Sequence, residues 1–245
     1  MRTLVLVGSG EFTQAMNDVD RYLLSLIDNS PTVAILPTAA GMEKLPEKWV
    51  KDGVKHFKKL GARPFGLSVL ARQDAFDQSL IAKVKTASII YFSGGHPGYL
   101  YSVLKDSPLW QVILNKYESG QAILVGASAG AMVMGKYVLG NAQEVFFKGE
   151  KPHWSKAFSL VPYCILPHYD FAVKTHPEVV DTITTTAPEQ VRKNFLGIDE
   201  DTALILINKK NGQILGKRAV HFFKDQKEQK FSSGYKLARS HLFSQ

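Results

Sequence analysis

The chain has 245 residues, 45% of them hydrophobic and 21% charged, a composition that excludes disordered, collagen-like and disulfide-scaffold classes and fits one globular domain over 1–245. Its 30 Lys and Arg against 22 Asp and Glu give a net charge of +8; the lysines read as a solvated face, with a patch attracting acidic substrates or nucleic acid as the alternative, but no basic and aromatic motif of a nucleic-acid module accompanies them and no nucleic-acid partner is expected. No apolar run approaches the roughly 20 residues that cross a bilayer, which predicts no membrane association and a cytoplasmic protein.

The first seven residues run into Gly8 without a cleavage region and read as a strand, not a signal peptide. Short β-branched or apolar runs at 3–7, 33–36, 88–92, 122–125, 163–166 and 203–207 predict strands. Segments 19–27, 43–60, 73–84, 109–117 and 179–185 carry helical spacing or helical length between them. Strands apolar on both faces that alternate with helices imply a three-layer α/β/α fold with a mostly parallel central sheet. Asn211-Gly212 is a hairpin signal after Ile207, so 209–245 is expected to add a C-terminal antiparallel hairpin and tail, including 220–223 and the segment around Phe231. The single Cys164 allows no intramolecular disulfide and no zinc spacing, and no metal is expected.

Gly126-Ala127-Ser128-Ala129-Gly130 follows the fourth of these apolar runs and leads into Met132-Val133-Met134. A serine on a strand-to-helix turn is held exposed as a nucleophile, the flanking glycines let the backbone turn sharply, and the following helix brings a positive end and the Ala129 N–H toward an oxyanion. In such a sheet ligands gather outside the carboxyl ends of the strands. Gly8-Ser9-Gly10-Glu11, Pro37-Thr38-Ala39, Ser93-Gly94-Gly95-His96-Pro97, Pro167-His168-Tyr169-Asp170 and Ile198-Asp199-Glu200-Asp201 all fall there.

Serine chemistry needs a base and an orienting acid. Of seven histidines, His168 is favoured because it follows a strand. Glu200 is the favoured acid, with Glu144 as a substitute and a solvated or capping turn as the plain alternative. Asp170 is expected to hold a loop or contact substrate. A phosphate loop at Gly8-Ser9-Gly10 is weakened by Thr13 in the third glycine's place.

The ordered motifs Gly8-Ser9-Gly10-Glu11, Leu36-Pro37-Thr38-Ala39, Phe92-Ser93-Gly94-Gly95, Gly126 to Ala131, Pro167-His168-Tyr169 and Gly197 to Ala203 resemble the serine peptidase family of cyanophycinase and dipeptidase E, whose fold is similar to the class I glutamine amidotransferase domain. The resemblance implies Ser128 as nucleophile, His168 as base, Glu200 as its carboxylate partner, and the N–H groups of Ala129 with Gly94 or Gly95 as the oxyanion hole. It implies a peptide or peptide-like substrate, aspartyl-type bonds among them, and no cofactor. An aspartyl side chain needs a cationic partner, for which His96, Lys174 and Arg192 are the candidates. His96-Pro97 departs from the family pattern, so a non-catalytic ligand-binding or scaffold protein of the same fold is the alternative. Trp49, Trp110 and Trp154 are candidates for a homodimer contact, with helix packing the favoured role of the first two.

Overall fold

The computed structural model describes residues 1–192, 194–224 and 227–238. Its strands are β1 (Thr3–Val7), β2 (Thr32–Leu36), β3 (Arg63–Gly66), β4 (Ile89–Phe92), β5 (Ile123–Ala127), β6 (Tyr137–Leu139), β7 (Trp154–Lys156), β8 (Cys164–Leu166), β9 (Asn194–Ile198), β10 (Thr202–Ile207), β11 (Asn211–Gly216), β12 (Ala219–Lys224), β13 (Lys227–Ser232) and β14 (Lys236–Leu237). Its helices are α1 (Asn17–Ser25), α2 (Glu47–Lys59), α3 (Gln78–Val84), α4 (Pro97–Leu104), α5 (Pro108–Glu118), α6 (Ala129–Met132), α7 (Ala142–Lys148), α8 (Tyr169–Thr175), α9 (Pro177–Thr186) and α10 (Glu189–Arg192).

The larger sheet runs β14-β11-β10-β1-β5-β4-β2-β3, parallel from β1 to β3 and antiparallel from β1 to β14. Alternate side chains of each parallel strand enter different cores. Leu4, Leu6, Leu36, Ile90, Phe92 and Leu124 pack on the side of α3 and α5. Val5, Val7, Val33, Ile35, Tyr91 and Val125 pack with Val19 and Leu23 of α1 and Phe57 of α2. Helices on both faces explain why these strands are apolar throughout.

A second sheet, β13-β12-β9-β8-β6-β7, corrects two expectations. Segment 163–166 supplies β8, which pairs in parallel with β6 and β9 in this second sheet, and 203–207 joins the first sheet as the antiparallel strand β10. The chain passes between sheets at the turn from β9 to β10, which consists of Asp199, Glu200 and Asp201. That turn abuts the end of β1, where a methyl group on Gly8 would stand 2.1 Å from the Asp199 carbonyl oxygen.

The hairpin after Ile207 is present, but Ile207 pairs with Asn211, so the turn is 208–210 and Asn211-Gly212 lies inside β11. Asn208 and Lys209 take the left-handed conformation, and the Asn208 side chain accepts the Arg2 N–H at 3.0 Å. Residues 239–245 of the expected tail lie outside the described residues. The helix expected over 73–84 breaks at Asp77, which is extended and caps α3 by accepting the N–H groups of Ser79 and Leu80. The four strand ends that matter most now converge: β4 and β5 from one sheet, β8 and β9 from the other.

Candidate active site

Ser128 directly follows β5 and has φ 50° and ψ −114°, a strained conformation for a residue with a side chain. The flanking glycines are required by contact. A methyl on Gly126 would stand 2.3 Å from the Gly130 carbonyl oxygen, and one on Gly130 would stand 2.7 Å from that of Phe92. The Ser128 N–H donates to the Val7 carbonyl at 3.0 Å, which ties the elbow to the end of β1. The helix that follows is the single turn α6, too short to supply the dipole expected from the sequence. Ala129, its first residue, still has an N–H without an acceptor inside the helix.

β8 and β9 are parallel neighbours with Leu166 opposite Gly197, so the residues just past their ends lie side by side. His168 comes two residues after β8 and Glu200 two after β9. Ser128 Oγ stands 3.0 Å from His168 Nε2, and His168 Nδ1 stands 3.0 Å from Glu200 Oε1. With Nδ1–H donated to the carboxylate, the Nε2 lone pair faces the serine hydroxyl. His168 itself has φ 52° and caps α8. The Tyr169 ring lies over Gly197, where a methyl would approach its Cγ to 2.6 Å, and that close packing fixes the segment that carries the imidazole.

Asp170 is a loop anchor. One of its carboxylate oxygens accepts the Glu200 N–H at 2.9 Å and the other pairs with the Arg218 guanidinium, which also stands 3.9 Å from Glu200. Arg218 carries no sequence signal, because it precedes β12, a segment with no motif. Behind the same turn, His221 lies between Asp199 at 3.0 Å and Glu228 at 2.5 Å. Burial disfavours its charged form, but the hydrogen bonds it donates to Asp199 and Glu228, with the attraction of their charges, outweigh burial and hold its pKa above the ordinary histidine value.

The loop after β4 departs from expectation at two residues. Gly94 N–H is donated to the half-buried Glu11 carboxylate at 2.9 Å, so it is already committed, whereas Gly95 lines a cavity together with Ser128 and Ala129. Burial pushes the Glu11 pKa up despite that bond. His96 caps α4 by accepting the Tyr99 N–H at 3.1 Å, and its other ring nitrogen stands 3.4 Å from Glu144, which places Glu144 away from His168. Pro97 then occupies the first turn of α4, so the His96-Pro97 pair has a helix-capping explanation.

Lys174 is exposed on α8, and Arg192 lines a separate cavity of about 510 Å³ while its Nε donates to Ala187 O at 3.1 Å. Neither lines the cavity beside Ser128. That cavity measures about 340 Å³ and is walled by Met132, Leu139, Phe146, Phe171, Val180 and Ile183, with Ser128, His168 and Glu200 on its polar side. Among the described residues no group of three or more His, Cys, Asp or Glu is arranged to hold a metal ion, and no helix is long and apolar enough to cross a membrane.

The chain is similar to several known proteins. Cyanophycinase from Trichormus variabilis is 27% identical over 173 residues, 68% of this chain and 55% of that protein. Cyanophycinase from Geminocystis herdmanii is 24% identical over 223 residues, 89% of this chain and 78% of that protein. The chain thus spans about half the length of the first of these curated relatives. A solved peptidase from an acI-B1 Actinobacterium superposes with a TM-score of 0.84 at 32% identity over 96% of both chains. A putative peptidase E from Listeria monocytogenes superposes with a TM-score of 0.59 at 20% identity, over 95% of this chain and 98% of that one, a likeness of fold alone. The profile of peptidase family S51 matches residues 4–214, and the chain belongs to that family.

Proposed function

We propose that the protein is a serine hydrolase that cleaves small peptides through an acyl-enzyme on Ser128. The observation that carries this reading is the continuous relay from Ser128 Oγ through both nitrogens of His168 to Glu200, at 3.0 Å for each step, with the serine on a strained elbow. His168 takes the hydroxyl proton as Ser128 attacks the peptide carbonyl, and Glu200 holds the ring in the required tautomer and stabilises the imidazolium. The N–H groups of Gly95 and Ala129 are assigned to the oxyanion, because that of Gly94 is bound by Glu11. The C–N bond then breaks and His168 gives its proton to the leaving amine. In the second half, His168 removes a proton from water, hydroxide adds to the acyl carbon, and Ser128 leaves with the returned proton. All four proton transfers run through one imidazole, with water as the only co-substrate of the second half.

A long-chain alkyl fluorophosphonate tests the reading directly. It is expected to modify Ser128, located by mass spectrometry, and to leave Ser128→Ala unlabelled and His168→Ala nearly so. An unlabelled Ser128 in the folded wild-type protein would defeat the proposal. Glu200→Gln is expected to lower turnover by about 10⁴-fold, the scale seen when a triad acid is neutralised, whereas Glu144→Gln keeps turnover because its carboxylate faces His96.

A further inference from the structure

We propose that the cavity beside Ser128 is an apolar specificity pocket, which receives a large uncharged aliphatic or aromatic side chain from the residue that supplies the attacked carbonyl. This rests on the hydrolase reading above and replaces the aspartyl preference that the sequence resemblance implied.

The walls of the cavity carry the argument. Met132 and Leu139 rise from the core, α7 contributes Phe146, α8 contributes Phe171, and α9 contributes Val180 and Ile183. Its volume of about 340 Å³ is ample for a side chain of Leu or Phe size and lies at the small end of the range for ligand pockets. The candidate oxyanion donors Gly95 and Ala129 share its wall, so the side chain attached beside the attacked carbonyl is the one that faces it.

The charges present oppose an acidic side chain. Among the described residues that line the cavity, the ionisable ones are His168, Tyr169, His176 and Glu200. His168 is held between Ser128 and Glu200, and Glu200 is an anion that repels a carboxylate. His176 has its Nδ1 2.7 Å from Thr175 Oγ1 and its ring against Phe146 and Phe171, at 6.0 and 6.3 Å between centroids. The nearby guanidinium of Arg218 is paired with Asp170. A carboxylate in this space would lose its hydration, and the described lining offers it neither a lysine nor an arginine.

The mouth of the cavity adds a second observation. Phe147 and Phe171 are 77% and 47% exposed, although both belong to its lining. Aromatic surface left open beside a nucleophile is covered when an apolar group enters.

Diphenyl phosphonates of Phe, Leu and Asp test the assignment, since each carries its side chain next to the phosphorus that Ser128 attacks. The Phe and Leu probes are expected to label Ser128 about 30-fold faster than the Asp probe or more, from removal of apolar surface from water. The alkyl fluorophosphonate serves as the control without a side chain. If it labels Ser128 while the Asp probe reacts as fast as the Phe probe, the apolar pocket is overturned and the hydrolase reading stands. If it does not label Ser128, the hydrolase reading falls and the pocket falls with it. Val180→Arg places a guanidinium in the cavity and is expected to narrow the Phe-to-Asp ratio at least tenfold; an unchanged ratio in the folded variant overturns the assignment. Phe171→Arg, at a half-exposed position, gives the same reading if Val180→Arg does not fold.

Discussion

The Asp170 carboxylate accepts the Glu200 N–H at 2.9 Å, so the residue two places after the candidate base anchors the turn that carries the candidate acid. His168 and Glu200 come from different strands, and this bond fixes their separation independently of the bond between their side chains. Asp170→Ala removes the acceptor and frees Arg218 to approach Glu200, from which it now stands 3.9 Å. A displacement of about 1 Å costs on the order of 100-fold in rate. We expect kcat to fall by about that factor with KM little changed. Asp170→Asn keeps an oxygen for the N–H and is expected to recover most of the loss. Steady-state kinetics on the three proteins check this, and equal kcat values would remove Asp170 from a positioning role.

The strain at Ser128 predicts an inactive variant that is more stable than another inactive variant. With φ at 50° and ψ at −114°, the residue sits where a side chain costs about 1–3 kcal/mol. Ser128→Ala keeps that cost because it keeps a Cβ. Ser128→Gly relieves it against about 0.5–1 kcal/mol of added freedom in the unfolded chain. We expect Ser128→Gly to exceed Ser128→Ala by about 1 kcal/mol, which is about 2–4 °C in Tm for a chain of this size. Calorimetry of the two variants decides it, and a lower Tm for the glycine variant would contradict the strain.

Four of the five parallel strands of the first sheet were readable, because β1, β2, β4 and β5 are apolar runs that end in glycine, serine or proline, whereas the edge strand β3, Arg63-Pro64-Phe65-Gly66, is no such run. Ser128 lies at the end of one of those runs, His168 follows the run 163–166 and Glu200 precedes the run 203–207, and the structure brings the three within hydrogen-bond distance along one relay. The second sheet was not readable. β8 is the apolar run Cys-Ile-Leu like any other, and only its long-range pairing of Cys164 with Phe195 and Leu166 with Gly197 decides which sheet it joins. Helices α7 and α8 were missed for a related reason. Phe146, Phe147 and Phe171 line a cavity, so these helices carry no stripe of buried residues at core spacing. His96, Lys174 and Arg192 were cationic in the sequence, but one caps a helix, one is exposed and one lines another cavity.

Glu11 is expected to act on catalysis through Gly94. Its carboxylate accepts the Gly94 N–H at 2.9 Å, and a methyl group on Gly94 would stand 2.9 Å from that oxygen and 3.4 Å from Ser128 Cβ. The bond therefore sets the course of the loop that delivers Gly95. Glu11→Ala is expected to lower kcat by about 10²-fold, the lower end of the effect of losing one oxyanion donor. Glu11→Gln keeps an acceptor oxygen and is expected to restore most of the rate. A titration of stability separates the two substitutions further. Burial raises the Glu11 pKa above 4.5, so the folded state binds this proton more tightly than the unfolded one. That contribution is whole below the unfolded value and is lost as pH rises through the folded one. Denaturant unfolding should show wild type losing stability relative to Glu11→Gln across that interval, and parallel curves would dismiss the raised pKa.

His221 gives the opposite residue type with the same direction. Its neighbours Asp199 and Glu228 hold its pKa above 6.5 although burial alone would lower it. The folded protein thus binds the imidazolium proton more tightly than the unfolded chain, and the stability this confers is complete below the unfolded value and disappears as pH rises through the folded one. His221→Gln removes the titration while leaving a polar side chain near Asp199. The stability of wild type relative to His221→Gln is therefore expected to decline as pH rises above about 6.5, at a slope of up to 1.36 kcal/mol per pH unit for one proton. Because Asp199 adjoins Glu200, loss of that charge also loosens the turn that carries the candidate acid. The kcat of wild type is expected to fall over the same alkaline interval, while the smaller kcat of His221→Gln stays level there. Unfolding free energies and kcat measured from pH 6 to pH 9 on both proteins provide the check, and identical profiles would show that His221 is not charged between Asp199 and Glu228.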